Sequence, residues 1–292
     1  MLYSTFRTRL LSAKAPVAEL IERIDIVFAA SHRGPAVAEL ASSFPHIPFG
    51  PRAWHACVAN ATKLHGVRRF GGDSYATHPT RVALICDWLL SKEPFLRDTA
   101  CVAALLHDYL EEGDGLTAAG LQALASLLPS ERTAVRGAVL LSEPLIDFAG
   151  LGPADAFYRL RVVAYVVQVK AACASEADRS LICATLADQL DNMHDLDYIA
   201  ADPGLADEKK VNKRCQSLAY GLYVALSLQE HAPPHFVRLL RDATDARAVE
   251  LGLRMTAVEQ RARQLAEMER DLFLPMAVQI ERYHAAIGLP LA

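Results

Sequence analysis

Apolar residues recur along most of this chain at the three- and four-residue spacing of an amphipathic helix. The segment 16–30 shows this spacing and begins with Pro16, a residue that suits a first helical turn. Similar spacing predicts helices at 52–65, 79–91, 97–111, 117–128, 153–174, 177–199, 208–231, 234–251 and 255–286. Alternating strand patterns are scarce, so the sequence predicts an all-α protein.

Proline and glycine residues mark two short breaks in this helical pattern, at 44–51 and 66–79. The chain contains neither an obvious repeat nor a low-complexity linker. We therefore expect one compact helical domain over residues 51–230, with a helical extension at 1–50 before it and another at 231–292 after it.

Composition narrows the class of protein. Hydrophobic residues make up 52% of the chain and the net charge is −4, so the charge gives no general attraction to nucleic acid or to a membrane surface. The six cysteines form no C-x-x-C pair, and most lie in apolar runs as buried small residues would. We find neither a signal peptide nor an apolar run of about 18 residues. These features predict a reduced, cytoplasmic protein without a membrane or stable nucleic-acid partner.

The most suggestive chemistry begins at the His107–Asp108 doublet, which follows the apolar run 101–106. Burying an imidazole and a carboxylate costs several kcal/mol unless a partner compensates. A divalent metal ion is one such partner. The alternative is a structural His–Asp hydrogen-bonded pair. In a continuous helix, Glu111 would lie one turn beyond His107 on the same face, where it or Glu112 could act as a general base. Both glutamates could equally be solvated at a helix end.

Two further segments carry polar residues beside apolar ones. Asp188 and Asn192 are four residues apart on a predicted helix, so both side chains should point the same way. They could bind a metal and a phosphate, or they could simply face solvent. The loop 65–79 contains adjacent glycines, two arginines and His78 directly before Pro79. It could bind a phosphate or a base, or it could be a basic surface turn.

Taken together, these segments resemble the hydrolase domain of the RelA/SpoT family, an HD-domain helical bundle, including its small stand-alone members. The sequence reads HGVRRFGGDSYATHP at 65–79, AALLHDYLEE at 103–112 and LADQLDNMH at 186–194. The order and spacing of these motifs agree with the family's pattern. The resemblance covers residues 55–200.

The resemblance implies hydrolysis of the guanosine alarmones ppGpp and pppGpp, with release of the 3′-pyrophosphate. It implies one divalent ion, Mn²⁺, held by four ligands: His78, His107, Asp108 and Asp188. A synthetase domain, which many family members carry, does not follow in this sequence.

The same resemblance implies roles for residues around the metal. Glu111 and Glu112 match the acidic pair that activates or positions water. Arg69 matches an arginine that packs on the base, Tyr75 matches a tyrosine that shapes the pocket, and Asn192 matches an asparagine near the substrate's 3′ side.

A basic cluster after the last motif, which includes Lys209 and Lys210, could contact the 5′ phosphates or could be a solvated helix face. Several positions depart from the family's pattern, and most of them would face the substrate: Phe70, Gly71, Glu112, Gln189, Asp191, His194 and Asp195. The alternatives are therefore an HD phosphohydrolase of another nucleotide, such as ppApp, a regulator that binds an alarmone without turnover, or a helical interaction module. The sequence leaves homo-oligomerisation open.

Overall fold

The computed structural model describes residues 49–68, 74–109, 157–172, 179–193 and 196–287, together with several positions between 137 and 151. Every regular element among them is an α-helix, and their one β-type pairing is an isolated antiparallel bridge between Arg68 and Ser74. The all-α prediction is therefore confirmed. The chain forms two compact units, residues 1–139 and 140–292.

Three helices are described in the first unit: α1 (Pro51–Lys63), α2 (Thr77–Leu89) and α3 (Pro94–Leu106). Helix α3 packs against both α1 and α2. It can do so because residues 100–106 are all buried, and all of them are apolar. The thiol of Cys101 donates a hydrogen bond to the Ala83 carbonyl at 3.4 Å and so fixes α3 against α2.

The start of α2 differs from the prediction by two residues. The backbone N–H of Thr77 and its hydroxyl both donate to the Ser74 carbonyl, at 3.0 and 2.7 Å. These bonds begin the helix at Thr77 rather than at Pro79. Proline is tolerated at this third helical position because N–H groups in the first turn have no partner within the helix.

Six helices are described in the second unit: α4 (Phe157–Ala172), α5 (Arg179–Asn192), α6 (Leu196–Ala201), α7 (Asp207–Leu228), α8 (Pro234–Glu250) and α9 (Met255–Ala286). Helix α7 lies at the centre, because it packs against α4, α5, α6, α8 and α9. The single helix predicted over 177–199 is two helices. Buried Arg247 donates to the Met193 carbonyl at 3.3 Å and to the Asp197 carboxylate at 2.7 Å, which stabilises the break between α5 and α6.

Helix α9 is attached to the second unit through a buried carboxylate, that of Glu269. This carboxylate accepts hydrogen bonds from Lys170 at 2.5 Å, from the Tyr223 hydroxyl at 2.9 Å and from the Ser227 hydroxyl at 2.8 Å. The donors come from α4 and α7, so Glu269 joins three helices.

Two further predictions can be compared with the described residues. Among the described helices, none combines the length and the apolar character that a membrane span requires. The five described cysteines are all buried, as their apolar surroundings in the sequence predicted. The predicted helices at 16–30 and 117–128 lie outside the described residues, and the predicted domain boundaries at residues 50 and 230 stay predictions.

Candidate metal centre

His78 lies in the first turn of α2, directly after the loop that follows α1. The positive φ of Gly66, +86°, lets the chain turn after α1. Beyond it, the Tyr75 N–H donates to the Val67 carbonyl at 2.9 Å, and the His78 N–H donates to the Tyr75 carbonyl at 3.2 Å. The two ends of the loop are therefore tied together, and His78 has a fixed backbone position.

His107 directly follows α3, and its own side chain helps to end the helix. The ring atom Nδ1 lies 2.6 Å from the Ala104 carbonyl oxygen. In a continuing helix, that carbonyl would accept from the N–H of Asp108. Instead the chain tightens, and the Tyr109 N–H donates to Leu106 at 3.0 Å.

This turn corrects one argument made from the sequence. The helix predicted over 97–111 ends at Leu106, because residues 107–109 form a turn, so the continuous helix that was expected to run from His107 to Glu111 is interrupted. Glu111 and Glu112 themselves lie outside the described residues.

The polar atoms of His78, His107 and Asp108 converge in the first unit. The Nε2 atoms of the two histidines are 3.2 Å apart. Asp108 brings Oδ1 to 3.1 Å from His107 Nε2 and Oδ2 to 3.6 Å from His78 Nε2. The three residues are only 2%, 7% and 5% exposed, respectively. A carboxylate and two imidazoles therefore share a nearly dry space.

The short contacts in this cluster require a proton or a metal ion between their electron-rich atoms. Because a carbonyl oxygen can only accept, Nδ1 of His107 carries the proton that it donates to Ala104. In the neutral ring, Nε2 then directs a lone pair toward the Asp108 carboxylate. Two electron-rich atoms at 3.1 Å attract each other only if a proton or a metal ion lies between them.

The donor set fits a divalent metal ion. Ligands held about 2.1 Å from one ion lie about 3.0 to 3.4 Å apart in octahedral or tetrahedral geometry. The two separations that involve His107 Nε2, 3.1 Å to Asp108 Oδ1 and 3.2 Å to His78 Nε2, lie in that range. The 3.6 Å separation joins His78 Nε2 to the other oxygen of Asp108, Oδ2. Oδ2 of Asp108 is buried without a hydrogen-bond partner, which leaves it available as a ligand. The Ala104 carbonyl orients His107 as carbonyls commonly orient metal-binding imidazoles.

The predicted fourth ligand, Asp188, belongs to α5 in the second unit and is half-buried. Its Oδ1 accepts from the Asn192 amide at 2.8 Å, and its Oδ2 accepts from Gln189 at 2.9 Å. Asp188 and Asn192 therefore point the same way, as their spacing predicted. Gly221 of α7 faces this part of α5, since a β-carbon there would lie 4.0 Å from Gln189 Cβ and 3.2 Å from Cε of Met193, the residue that follows the helix.

Three further predicted site residues lie in the described part of the chain, outside the His78–His107–Asp108 cluster. Tyr75 is half-buried in the first unit, and Lys209 is exposed on α7 in the second. Lys210 lies 3.6 Å from the Asp207 carboxylate on its own helix, so part of its charge is already compensated. The other predicted positions lie outside the described residues: Arg69, Phe70, Gly71, His194 and Asp195.

Sequence reasoning missed two contributions to the cluster. The Ala104 carbonyl has no signature in the sequence, because any residue supplies a carbonyl. Lys63 places its ammonium group 4.2 Å from the centre of the Tyr109 ring and so helps to hold the turn that carries His107 and Asp108. Neither contact could be deduced from the motif alone.

Comparison of the chain with protein-family models, with curated proteins and with solved structures gave no match. The geometry described above is therefore the physical basis for assigning a function.

Proposed function

We propose that this protein is a divalent-metal-dependent phosphohydrolase that removes the 3′-pyrophosphate from a ppGpp-type nucleotide. The single observation that carries the proposal is the convergence of His78, His107 and Asp108 around one nearly dry point. The metal dependence rests on that geometry, and the choice of nucleotide rests on the resemblance to the RelA/SpoT family.

The proposed metal ligands in the first unit are His78, His107 and Asp108, and the resemblance to the RelA/SpoT family adds Asp188 as the fourth. The two imidazoles each offer a ring nitrogen, and Asp108 offers a carboxylate oxygen. When bound, a divalent cation such as Mn²⁺ would neutralise phosphoryl charge and acidify a water molecule. Neutral imidazole and carboxylate also suit Zn²⁺ or Fe²⁺, so the ligand set supports a metal without selecting it.

The protein's own residues would supply the rest of the chemistry. The Ala104 carbonyl holds the proton on Nδ1 of His107, so the lone pair of Nε2 would bind the cation. Glu111 or Glu112 would accept a proton from the attacking water. Asn192 already donates to Asp188 and has a second amide hydrogen that could reach a phosphate oxygen.

Substrate selection would fall to four other positions. Arg69 would pack on the base, and Tyr75 would shape the pocket beside it. Lys209 and Lys210 would contact the 5′ phosphates, with Lys209 the better placed because it is exposed and Lys210 lies near Asp207.

Product analysis tests this proposal directly. Purified full-length protein is incubated with ppGpp, ppApp, GTP and bis(p-nitrophenyl) phosphate, with and without Mn²⁺, and the products are separated by ion-exchange chromatography. We expect Mn²⁺-dependent release of pyrophosphate from ppGpp. Release from ppApp alone would support the proposed mechanism and show that the substrate carries adenine rather than guanine. Tight binding of ppGpp without turnover would favour the regulatory alternative.

A matched pair of variants distinguishes the cluster from a contaminating activity. Asp108→Ala should abolish turnover, because it removes a buried ligand. Asp98→Ala changes an aspartate on α3 that forms a partly exposed ion pair with Arg52, and it should retain wild-type activity. Equal activity in both variants would remove His78, His107 and Asp108 from the mechanism.

A further inference from the structure

The second unit contains a cavity of about 230 Å³ between α4, α7 and α9. Most of its lining surface is apolar, and the side chains that bring polar groups to it are those of Arg159, Asn212, Gln216, Tyr220, Arg261 and Gln264. None of the described residues that line it is acidic. Two guanidinium groups therefore face a space without a lining carboxylate to balance them.

The two arginines differ in how they are held. Arg261 donates to the side chain of Asn212 at 2.7 Å and to its backbone carbonyl at 3.4 Å, so its guanidinium is fixed while other N–H groups remain available. Arg159 has no ion pair or hydrogen bond with any residue that the structure describes. Such a cationic group at a cavity wall is suited to an anion.

Neutral hydrogen-bonding groups complete the walls. The amides of Gln216 and Gln264 have no hydrogen-bond partner within the described part of the chain. Burial, followed by the neighbouring Tyr165 and Asp188, raises the pKa of Tyr220 well above its usual value. Tyr220 therefore keeps its proton and can donate to a polar ligand. These groups suit hydroxyl or carbonyl atoms beside an anionic centre.

We propose that this cavity is a binding site for the phosphate monoester of a small polar molecule. Two arginines match the charge of about −2 that one phosphate carries at neutral pH. The volume equals that of about eight water molecules at about 30 Å³ each. This is more than the five heavy atoms of a phosphate group need, so room remains for part of a sugar-sized group among the amides and Tyr220.

The cavity and the proposed metal centre are different sites, because none of the predicted metal ligands lines the cavity. Binding here requires no cation and no hydrolysis. The inference therefore does not depend on the proposed phosphohydrolase activity, and it can be tested in protein stripped of divalent ions.

Isothermal titration calorimetry tests the proposal with ribose 5-phosphate, inorganic phosphate and ribose as probes, in metal-free buffer. We expect ribose 5-phosphate to bind more tightly than inorganic phosphate, and ribose not to bind. Arg159→Gln should raise the Kd for ribose 5-phosphate at least about tenfold, because a charge-assisted contact is lost. Added salt should weaken wild-type binding.

Two further variants make the result interpretable. Arg263→Gln removes an exposed charge from α9 outside the cavity and should leave the Kd unchanged. Arg261→Lys keeps the charge but loses the fork that holds Asn212, so it should bind more weakly than wild type and more tightly than Arg261→Gln. A thermal melt of each variant confirms folding. The proposal is overturned if neither phosphate compound binds, if ribose binds equally well, or if Arg159→Gln and Arg263→Gln behave alike.

Discussion

Replacing Asp108 with asparagine separates the two explanations of the buried His78–His107–Asp108 cluster. If the cluster is a metal centre, the carboxylate is a ligand, and its negative charge is unfavourable when the ion is absent. Metal-free Asp108→Asn should then be at least as stable as metal-free wild type. If the cluster is a structural pair, the variant loses a charge-assisted hydrogen bond worth about 1.5 to 3 kcal/mol.

The effect of Mn²⁺ can be estimated from the same geometry. Asp108 is 5% exposed and approaches both Nε2 atoms, so its loss should weaken metal binding at least about 100-fold. At a concentration about 100 times the wild-type Kd, Mn²⁺ stabilises wild type by about 2.7 kcal/mol and such a variant by about 0.4 kcal/mol. Each kcal/mol of stabilisation raises the Tm of a protein of roughly this size by about 2 to 4 °C. Mn²⁺ should therefore raise the Tm of wild type by about 5 to 11 °C and the Tm of the variant by about 1 to 2 °C.

The assay is a thermal melt followed by far-ultraviolet circular dichroism, with each protein measured in chelator and in Mn²⁺. Asp98→Asn is the control, because Asp98 lies on α3, the helix that leads into the turn carrying Asp108, and its ion pair with Arg52 is partly exposed. It should keep the full response to Mn²⁺. A fall of about 3 to 12 °C in metal-free Asp108→Asn, with the response to Mn²⁺ unchanged, would refute the metal interpretation.

Three further results are expected. Glu111→Gln should retain Mn²⁺ binding but lower the turnover of ppGpp by about 10² or more, and an unchanged rate would exclude Glu111 as the sole general base. Glu269→Ala should lower the free energy of unfolding by about 3 to 5 kcal/mol in urea denaturation, because it leaves buried donors without their acceptor. Exposed Glu267→Ala should change it by less than about 0.5 kcal/mol, and similar losses in the two variants would contradict this reasoning. Burial raises the pKa of Cys57 from its usual 9.0 to about 12. The unfolded chain loses the thiol proton at lower pH than the folded protein does, so the contribution of the buried thiol to stability is complete below pH 9 and declines as pH rises toward 12. At pH 8 a disulfide reagent should therefore leave Cys57 of the native protein unmodified, although it labels Cys57 in denaturant.

Helical periodicity predicted most of the described helices. The reason is that a helix needs an apolar face toward the core whichever neighbouring helix covers that face. The predicted helix at 255–286 and the observed α9 have the same bounds. Helix ends were less predictable, since they depend on tertiary contacts. The end of α3 depends on the bond between His107 and the Ala104 carbonyl, and the break after α5 is stabilised by Arg247, which lies more than fifty residues further along the chain.

The candidate site was predictable to the extent that its residues are close in sequence. The doublet His107–Asp108 was visible directly, and its convergence with His78 agrees with the order of the motifs. The cavity in the second unit was not predictable, because Arg159, Tyr220 and Arg261 come from three helices and have no shared spacing. Only the packing of α4, α7 and α9 brings them together.

The most direct test of the central claim is the metal stoichiometry of the purified protein. The full-length chain is loaded with Mn²⁺, passed through gel filtration in metal-free buffer and analysed by inductively coupled plasma mass spectrometry, beside His107→Gln treated in the same way. The account predicts about one ion per chain for wild type and a large loss for His107→Gln at unchanged helical content. Absence of metal from the loaded wild type, or equal metal in both proteins, would contradict it.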